Sequence, residues 1–263
     1  MSDVVRSPIF GSVAHWLDRL PADKFADCEA LNALLNPGIL SGGDVPICFV
    51  AVDASFAEAY EPFIYRTGQV PTRSGNWHDL FNALAWLSFP RTKRVLNCRH
   101  VEEIRGPAYA RGVRGTPRDV LTLFDEGGVI VTSSEPRLLE MLRTFQWKRL
   151  FWDGRTEVVP HMRFFVLGHA ILEKASQPYK AATAKALLLE VPACFAGRPH
   201  EEQLAEADAL AAQWLSTPGA LSSTRNLAPL PILGIPGWAE GQSEEFYEDT
   251  EVFRSGYMRD GRG

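Results

Sequence analysis

The sequence has few cysteines, and their spacing matches no metal-binding motif. Cys28, Cys48, Cys98 and Cys194 are far apart and form no CxxC pair. This excludes a zinc ribbon and is typical of buried thiols in a reducing compartment. The sequence also lacks the roughly 18-residue apolar run of a transmembrane helix and the apolar N-terminal stretch of a signal peptide. We therefore expect a cytoplasmic protein with no membrane partner.

An excess of basic residues is also lacking. The chain has 27 Lys and Arg against 32 Asp and Glu, a formal net charge of -5. A mildly acidic protein is not a general polyanion binder, so the composition argues against a broad role with nucleic acids. Gly42-Gly43 is not a phosphate loop, because no GK[ST] follows it. We interpret Arg91, Lys93 and Arg94 as a solvated helix face.

Hydrophobic residues make up 46% of the 263 residues, which is enough for a sizeable core. We predict an α/β or α+β fold: one helix-dominated domain over residues 1–215, with an extended C-terminal tail, 216–263, packed on the same domain. Strands are predicted near 46–52, 60–66, 128–132 and 187–191. Helices are predicted at 22–35, from Asn76 to Phe89, from Pro90 to about Glu103, from Thr116 to Gly127 and at 201–215.

The stretch 76–100, NWHDLFNALAWLSFPRTKRVLNCRH, places polar side chains inside otherwise apolar helices. His78, Asp79 and Asn82 lie within one turn on the first helix, and Asn97 and His100 within one turn on the second. A polar group buried without a partner costs roughly 1–3 kcal/mol. These side chains therefore require partners, which are other side chains, a metal ion or a substrate.

Three further groups of polar residues follow. Arg118 and Asp119 open the helix at Thr116, and Asp125-Glu126 closes it; we interpret Asp125-Glu126-Gly127-Gly128 as a helix end and turn. His169 and Glu173 lie one turn apart in an apolar segment. The loop 105–117 is rich in Arg and Gly, and such a loop is either an anion clamp or a solvated connector.

Imidazoles and carboxylates on neighbouring helices are suitable ligands for a divalent metal. We predict a metal site for zinc, manganese or magnesium formed by His78, His100, His169 and Glu173. A metal would lower the pKa of bound water towards about 7 and supply hydroxide for hydrolysis. Without a metal, a histidine–carboxylate pair could act as a general base.

We predict a hydrolase that acts on a small anionic, possibly phosphorylated, substrate, and we assign roles to the other polar residues accordingly. We assign His78, Asp79, Asn82, Asn97 and Asp119 to catalysis or orientation. Arg118, Arg114 and Trp77 are assigned to substrate binding. Each histidine taken singly also fits a satisfied core residue, so the hypothesis requires that His78, His100 and His169 converge in one cleft.

Four segments resemble the DUF3025 family of proteobacterial proteins. They are WHDLFNALAWLSFPRTKRVLN, RDVLTLFDEGG, GHAILEKASQPYKAATAKAL and LPILGIPGW, and together they span about residues 76–240. The resemblance implies a bacterial cytosolic protein. It implies no activity and no catalytic residues.

Two alternatives to the hydrolase stay open. One is a non-catalytic binding or adaptor protein, in which the polar helix residues form a buried structural network and the aromatic tail 238–253 contacts a protein partner. The other is a histidine–metal nuclease, since His78 followed by Asn97 or His100 has a similar order of residues. Against the nuclease, His78 is predicted to lie within a helix and not at the end of a β-hairpin.

Overall fold

The computed structural model describes residues 7–21, 24–105, 116–175 and 179–255. Its α-helices are α1 (Ala14–Leu17), α2 (Cys28–Asn32), α3 (Tyr60–Thr67), α4 (Trp77–Ser88), α5 (Pro90–Arg105), α6 (Thr116–Gly127), α7 (Pro136–Arg143), α8 (Arg155–His161), α9 (His169–Lys174) and α10 (His200–Leu215). Its strands are β1 (Cys48–Val52), β2 (Gln69–Arg73), β3 (Gly128–Ser133), β4 (Met162–Val166), β5 (Thr183–Glu190) and β6 (Ala228–Pro231). The predicted helix-dominated α/β class is confirmed.

The larger sheet has the strand order β4-β3-β5-β6. β3 is parallel to β5 and antiparallel to β4, and β6 is antiparallel to β5. All six residues of β3 are buried. Successive side chains of a strand point to opposite faces, so Val129 and Val131 join one apolar cluster while Ile130 joins a second. The sheet therefore separates two cores.

Helix α4 is buried along most of its length and packs against α9 and β2. Its residues 80–88 are all buried. Asn76 begins the helix as predicted, because its side chain accepts a hydrogen bond from the backbone N–H of Asp79 at 3.0 Å. The following helix α5 is capped from a distance: Asp208 of α10 accepts from the backbone N–H groups of Arg91 and Thr92.

The smaller sheet pairs β1 and β2 in parallel, with α3 as the crossover between them. The predicted strand at 60–66 is wrong, because this segment is α3. Tyr60, Phe63, Ile64 and Thr67 recur at helical spacing, and Gly68 ends the helix in the left-handed conformation at φ 68°. Three strands, β2, β4 and β6, are not predicted from the sequence.

Other boundaries differ from the predictions by smaller amounts. The helix predicted at 22–35 is restricted to α2, Cys28–Asn32, in the part of that range that is described. The strand predicted at 187–191 is β5 and begins earlier, at Thr183. The segment after residue 215 adds β6 to the sheet edge and buries Tyr247 and Phe253 in the larger apolar cluster. No described helix is both long enough and apolar enough to cross a membrane.

Candidate functional site

Five helices surround a polar cavity of about 290 Å³, which we call the His78 cavity. Helices α3, α4, α5, α6 and α9 supply most of its wall, and β2 supplies one residue at its end. The lining residues are Tyr60, Glu61, Arg73, His78, Asp79, Asn82, His100, Arg118, Thr122, Asp125, Glu126 and His169. The cavity therefore brings together His78, His100 and His169, as the hydrolase hypothesis requires.

His78 is held between a carboxylate and a second imidazole. Its Nδ1 lies 2.9 Å from Oε2 of Glu173 on α9. The ring of His169, also on α9, packs edge-on against it, with 4.4 Å between ring centroids and an interplanar angle of 82°. A carboxylate acceptor places the proton of a neutral His78 on Nδ1 and leaves the lone pair on Nε2.

His169 is 5% exposed, and its Nδ1 has no hydrogen-bond partner among the described residues. Burial disfavours the charged imidazolium and lowers the pKa of His169 to about 4, although the nearby Asp125 carboxylate opposes this shift. His169 is therefore neutral at physiological pH. A buried ring nitrogen without a partner is costly, so this atom is suited to receive one from a ligand.

Gly168 allows α9 to approach α6 closely enough to place His169 in the cavity. A Cβ atom at Gly168 would lie 2.6 Å from the carbonyl oxygen of Glu126 and 2.7 Å from Cα of Gly127. The backbone N–H of Gly168 donates to the carbonyl of Gly128 at 2.8 Å. Glycine is thus required here for close approach of two backbones.

A buried ion pair lies beside the histidines. Nζ of Lys93 donates to Oδ1 of Asp125 at 2.6 Å and to Oδ1 of Asn82 at 2.9 Å. Burial alone would raise the pKa of Asp125, but the Lys93 ammonium and the neighbouring His169 hold it below its ordinary value. Asp125 is therefore a carboxylate at neutral pH.

A second ion pair lies at the end of β2. Asp79 accepts bidentate hydrogen bonds from the Arg73 guanidinium, from Nε to Oδ2 and from a terminal nitrogen to Oδ1, each at 2.8 Å. Its Oδ2 also accepts from the Arg73 backbone N–H. Burial would raise the pKa of Asp79, but Arg73 lowers it overall. Asp79 is therefore a stably charged wall residue, anchored to the strand end.

Some predicted site residues lie outside the cavity wall. Asn97 is buried, but its amide bonds the backbone N–H of Gly42 and both the carbonyl and the carboxylate of Glu61. Asp119 is exposed on α6, and Trp77 packs against Phe25 and Phe81. Glu173 is not a lining residue, but it contacts Nδ1 of His78. Arg114 lies outside the described residues.

Sequence patterns miss or misplace four residues in or next to the cavity wall. Lys93, predicted to lie on a solvated face, is 4% exposed. Its spacing one turn from the buried Phe89 and Leu96 is the signal that could have placed it inside. Tyr60 lies in a segment predicted as a strand, and no sequence pattern marks Arg73 as a site residue. Asp125, predicted as part of a turn, lies in the last turns of α6 and faces Lys93.

No three His, Cys, Asp or Glu side chains are grouped closely enough to hold a metal ion in the part of the chain that the structure describes. His78 and His169 are adjacent, but His100 and the carboxylates do not complete a ligand set around them. Metal binding at this cavity therefore requires side-chain rotation, for which the exposed Glu126 is the least restricted carboxylate.

Comparison with known protein families gives a match for the chain. Residues 47–257 match the family model described as "Protein of unknown function (DUF3025)". The chain belongs to the DUF3025 family. The match confirms the resemblance identified from the sequence, and every residue of the His78 cavity lies within it. No curated protein and no solved structure matches the chain.

Proposed function

We propose that the His78 cavity is the active site of a metal-dependent hydrolase that acts on a small anionic, possibly phosphorylated, substrate. The observation that supports this most is the meeting of His78, His100 and His169 from three separate helices in one polar cavity. Clustered titratable groups in a cleft are more frequent at functional sites than elsewhere.

The charge balance of the wall supports a cation as one occupant. Four carboxylates line the cavity, those of Glu61, Asp79, Asp125 and Glu126. They exceed by one the nearby cations, which are the guanidinium groups of Arg73 and Arg118 and the buried Lys93 ammonium that pairs with Asp125. An anion alone would enter a cavity with excess negative charge, whereas a divalent cation offsets that excess and attracts the anionic group of a substrate. Arg118 is the proposed side chain for the substrate anion.

After the side-chain rotation described above, the histidine nitrogen atoms would be the ligands of the metal ion. Nδ1 of His169 is buried without a partner, and Nε2 of His78 carries a lone pair when Glu173 accepts from Nδ1. Glu173 then orients His78 in the way that carboxylates orient metal-bound histidines. His100 is the third proposed nitrogen ligand. A divalent metal bound there would supply Lewis-acid activation of water and substrate.

A metal-independent hydrolase is a second candidate, with His78 as the general base. The 2.9 Å contact between Nδ1 of His78 and Glu173 favours it, because this contact fixes the tautomer that accepts a proton at Nε2. The neutral ring of His169 packs beside it and adds no positive charge that would oppose protonation of His78.

The two non-hydrolase alternatives receive less support. An adaptor that binds through its C-terminal aromatic side chains would expose them, but Tyr247 and Phe253 are 3% and 5% exposed. A nuclease that uses Asn97 as a metal ligand would need a free amide, and the amide of Asn97 is engaged by Gly42 and Glu61. The bonded group of Lys93, Asn82 and Tyr60 remains compatible with a purely structural network.

We also propose that the protein acts in the bacterial cytoplasm. All four cysteines are free thiols. Free thiols are typical of proteins in a reducing compartment.

Hydrolysis assays on the purified full-length chain test the proposal. The substrates are small phosphomonoesters, phosphodiesters and carboxylic esters, each assayed with Mg²⁺, Mn²⁺, Zn²⁺ or a chelator. We expect turnover of one class that requires a metal and is lost in His78→Ala. His161→Ala, which removes an imidazole that lies outside the cavity and bonds Ser134, is the matched control. Equal turnover in both variants, or no turnover of any class, would overturn the proposal.

A further inference from the structure

The hydroxyl of Tyr60 lies at the end of a chain of hydrogen bonds whose direction is fixed. The chain begins at the buried Lys93, whose Nζ lies 2.9 Å from Oδ1 of Asn82. An ammonium group has only hydrogen-bond donors, so the Asn82 atom that faces it must be the carbonyl oxygen. The orientation of the Asn82 amide therefore follows from the charge of Lys93, and its NH₂ group points the other way.

That NH₂ group donates to the hydroxyl oxygen of Tyr60 at 2.6 Å. A tyrosine hydroxyl has one hydrogen of its own, and it cannot return that hydrogen to a group that is already donating to it. Among the described residues, no acceptor lies within hydrogen-bond distance of the Tyr60 hydroxyl as a donor. Tyr60 and Asn82 both line the His78 cavity, so the space available to the hydroxyl hydrogen is the cavity.

We propose that the Tyr60 hydroxyl donates a hydrogen bond to an anionic oxygen of the ligand in the His78 cavity, with Lys93 and Asn82 as positioning residues. This rests on the proposed function only in requiring a ligand with an anionic oxygen, such as a phosphoryl group, and does not require that the ligand be hydrolysed. The Tyr60 hydroxyl thus has one hydrogen to donate, and an acceptor oxygen of the ligand pairs with it.

The surroundings of Tyr60 keep it a donor. Burial, together with the nearby carboxylates of Glu61 and Asp125, raises the pKa of Tyr60 well above its ordinary value. The hydroxyl is therefore protonated throughout the neutral range. Its donor capacity does not depend on the titration of any histidine in the cavity.

The substitution Asn82→Asp reverses the last hydrogen bond of this series. In Asn82→Asp the NH₂ donor is replaced by a second carboxylate oxygen, which is an acceptor. The hydroxyl hydrogen of Tyr60 would then turn to this carboxylate and away from the cavity. Asn82→Asp should therefore reproduce the loss seen in Tyr60→Phe although the tyrosine is still present, and combining the two should add little.

Calorimetric titration of inorganic phosphate into the full-length chain, with Mg²⁺ present, tests the proposal. We expect Tyr60→Phe to weaken phosphate binding by about tenfold or more, as for other hydrogen bonds to a charged acceptor. The control is Tyr65→Phe, which removes a tyrosine hydroxyl outside the cavity wall and should leave the affinity unchanged. Thermal unfolding of each variant verifies that the comparison is made on folded protein.

The outcomes separate this proposal from the proposed function. Weaker phosphate binding in Tyr60→Phe supports the Tyr60 proposal even when no substrate is hydrolysed. Unchanged affinity in Tyr60→Phe overturns it even when hydrolysis depends on His78. Failure of the wild-type chain to bind phosphate overturns it as well.

Discussion

Nδ1 of His78 and Oε2 of Glu173 lie 2.9 Å apart, although 95 positions separate the two residues in the sequence. The contact joins α4 to α9, and it fixes which nitrogen of His78 is available to a ligand. The proposed chemistry depends on this contact, because an imidazole with a free choice of tautomer presents the needed lone pair only part of the time.

Removal of the charge at Glu173 should therefore impair the site without unfolding the protein. Glu173→Gln keeps the size of the side chain and an acceptor oxygen, but it loses the negative charge that favours the Nδ1 proton. We expect a fall of about 10- to 100-fold in kcat or in metal affinity, with little change in KM. Glu140→Gln, at an exposed carboxylate on α7, is the matched control. Wild-type turnover and metal affinity in Glu173→Gln would contradict the orienting role.

His169 should make the protein sensitive to acid before most carboxylates titrate. An unfolded histidine binds a proton near pH 6.5, but the buried ring of His169 does so only near its folded pKa of about 4. Between these values the unfolded state binds the extra proton. Stability is therefore highest above about pH 6.5 and falls by about 3 kcal/mol as the pH drops to about 4.

Urea denaturation of the metal-free protein at several pH values measures this contribution. His169→Gln lacks the titrating ring and should show a flatter dependence of unfolding free energy on pH between about 6.5 and 4. Parallel curves for the variant and the wild type would show that His169 is not held neutral by burial.

The Lys93–Asp125 pair should be far more important to stability than ion pairs at the surface. Lys93→Met leaves Asp125 buried without its partner, which typically costs about 3–5 kcal/mol. The double variant Lys93→Met, Asp125→Leu removes both charges and should recover much of that loss. Arg143→Met breaks an exposed pair with Glu140 and should cost less than about 1 kcal/mol. Similar losses for Lys93→Met and Arg143→Met in urea denaturation would contradict the burial of this pair.

Asn97 should be a structural residue. Its amide connects the turn at Gly42 to both the backbone and the side chain of Glu61. Asn97→Ala should lower the unfolding free energy by about 1–3 kcal/mol, because it leaves buried polar groups without partners. Activity per folded molecule should stay at the wild-type level. A loss of kcat without a loss of stability would show that Asn97 acts in catalysis, as the sequence predicts.

Local sequence signals predicted the elements that local chemistry decides. Asn76 and Pro90 mark the starts of α4 and α5, since a cap and a fixed φ act within one helical turn. The strand prediction for 60–66 is wrong because its aromatic residues fit a strand as well as a helix, and the helix end signal, Gly68, lies beyond the segment. β2 and β6 contain prolines and are short, so their pairing depends on β1 and β5 and not on their own residues.

The candidate site is predictable only in part, because its geometry depends on contacts between residues that are far apart in the sequence. The sequence indicates that His78 and His169 are polar residues in apolar surroundings. It does not contain the distance between α4 and α9, which depends on Gly168 touching the backbone at Glu126. Lys93 was hidden within a basic run, where charge alone predicts exposure and only its helical phase relative to Phe89 and Leu96 indicates burial.

Metal analysis of the purified chain shows whether His78 and His169 hold a metal ion. The wild type, His78→Ala, His169→Ala and the control His161→Ala are each loaded with Mn²⁺ or Zn²⁺, dialysed and analysed by mass spectrometry. We expect stoichiometric metal in the wild type and in His161→Ala. We expect both cavity variants to lose the metal while circular dichroism shows that they remain folded. A wild-type chain that retains no metal, or cavity variants that retain as much as the wild type, would show that the His78 cavity is not a metal site.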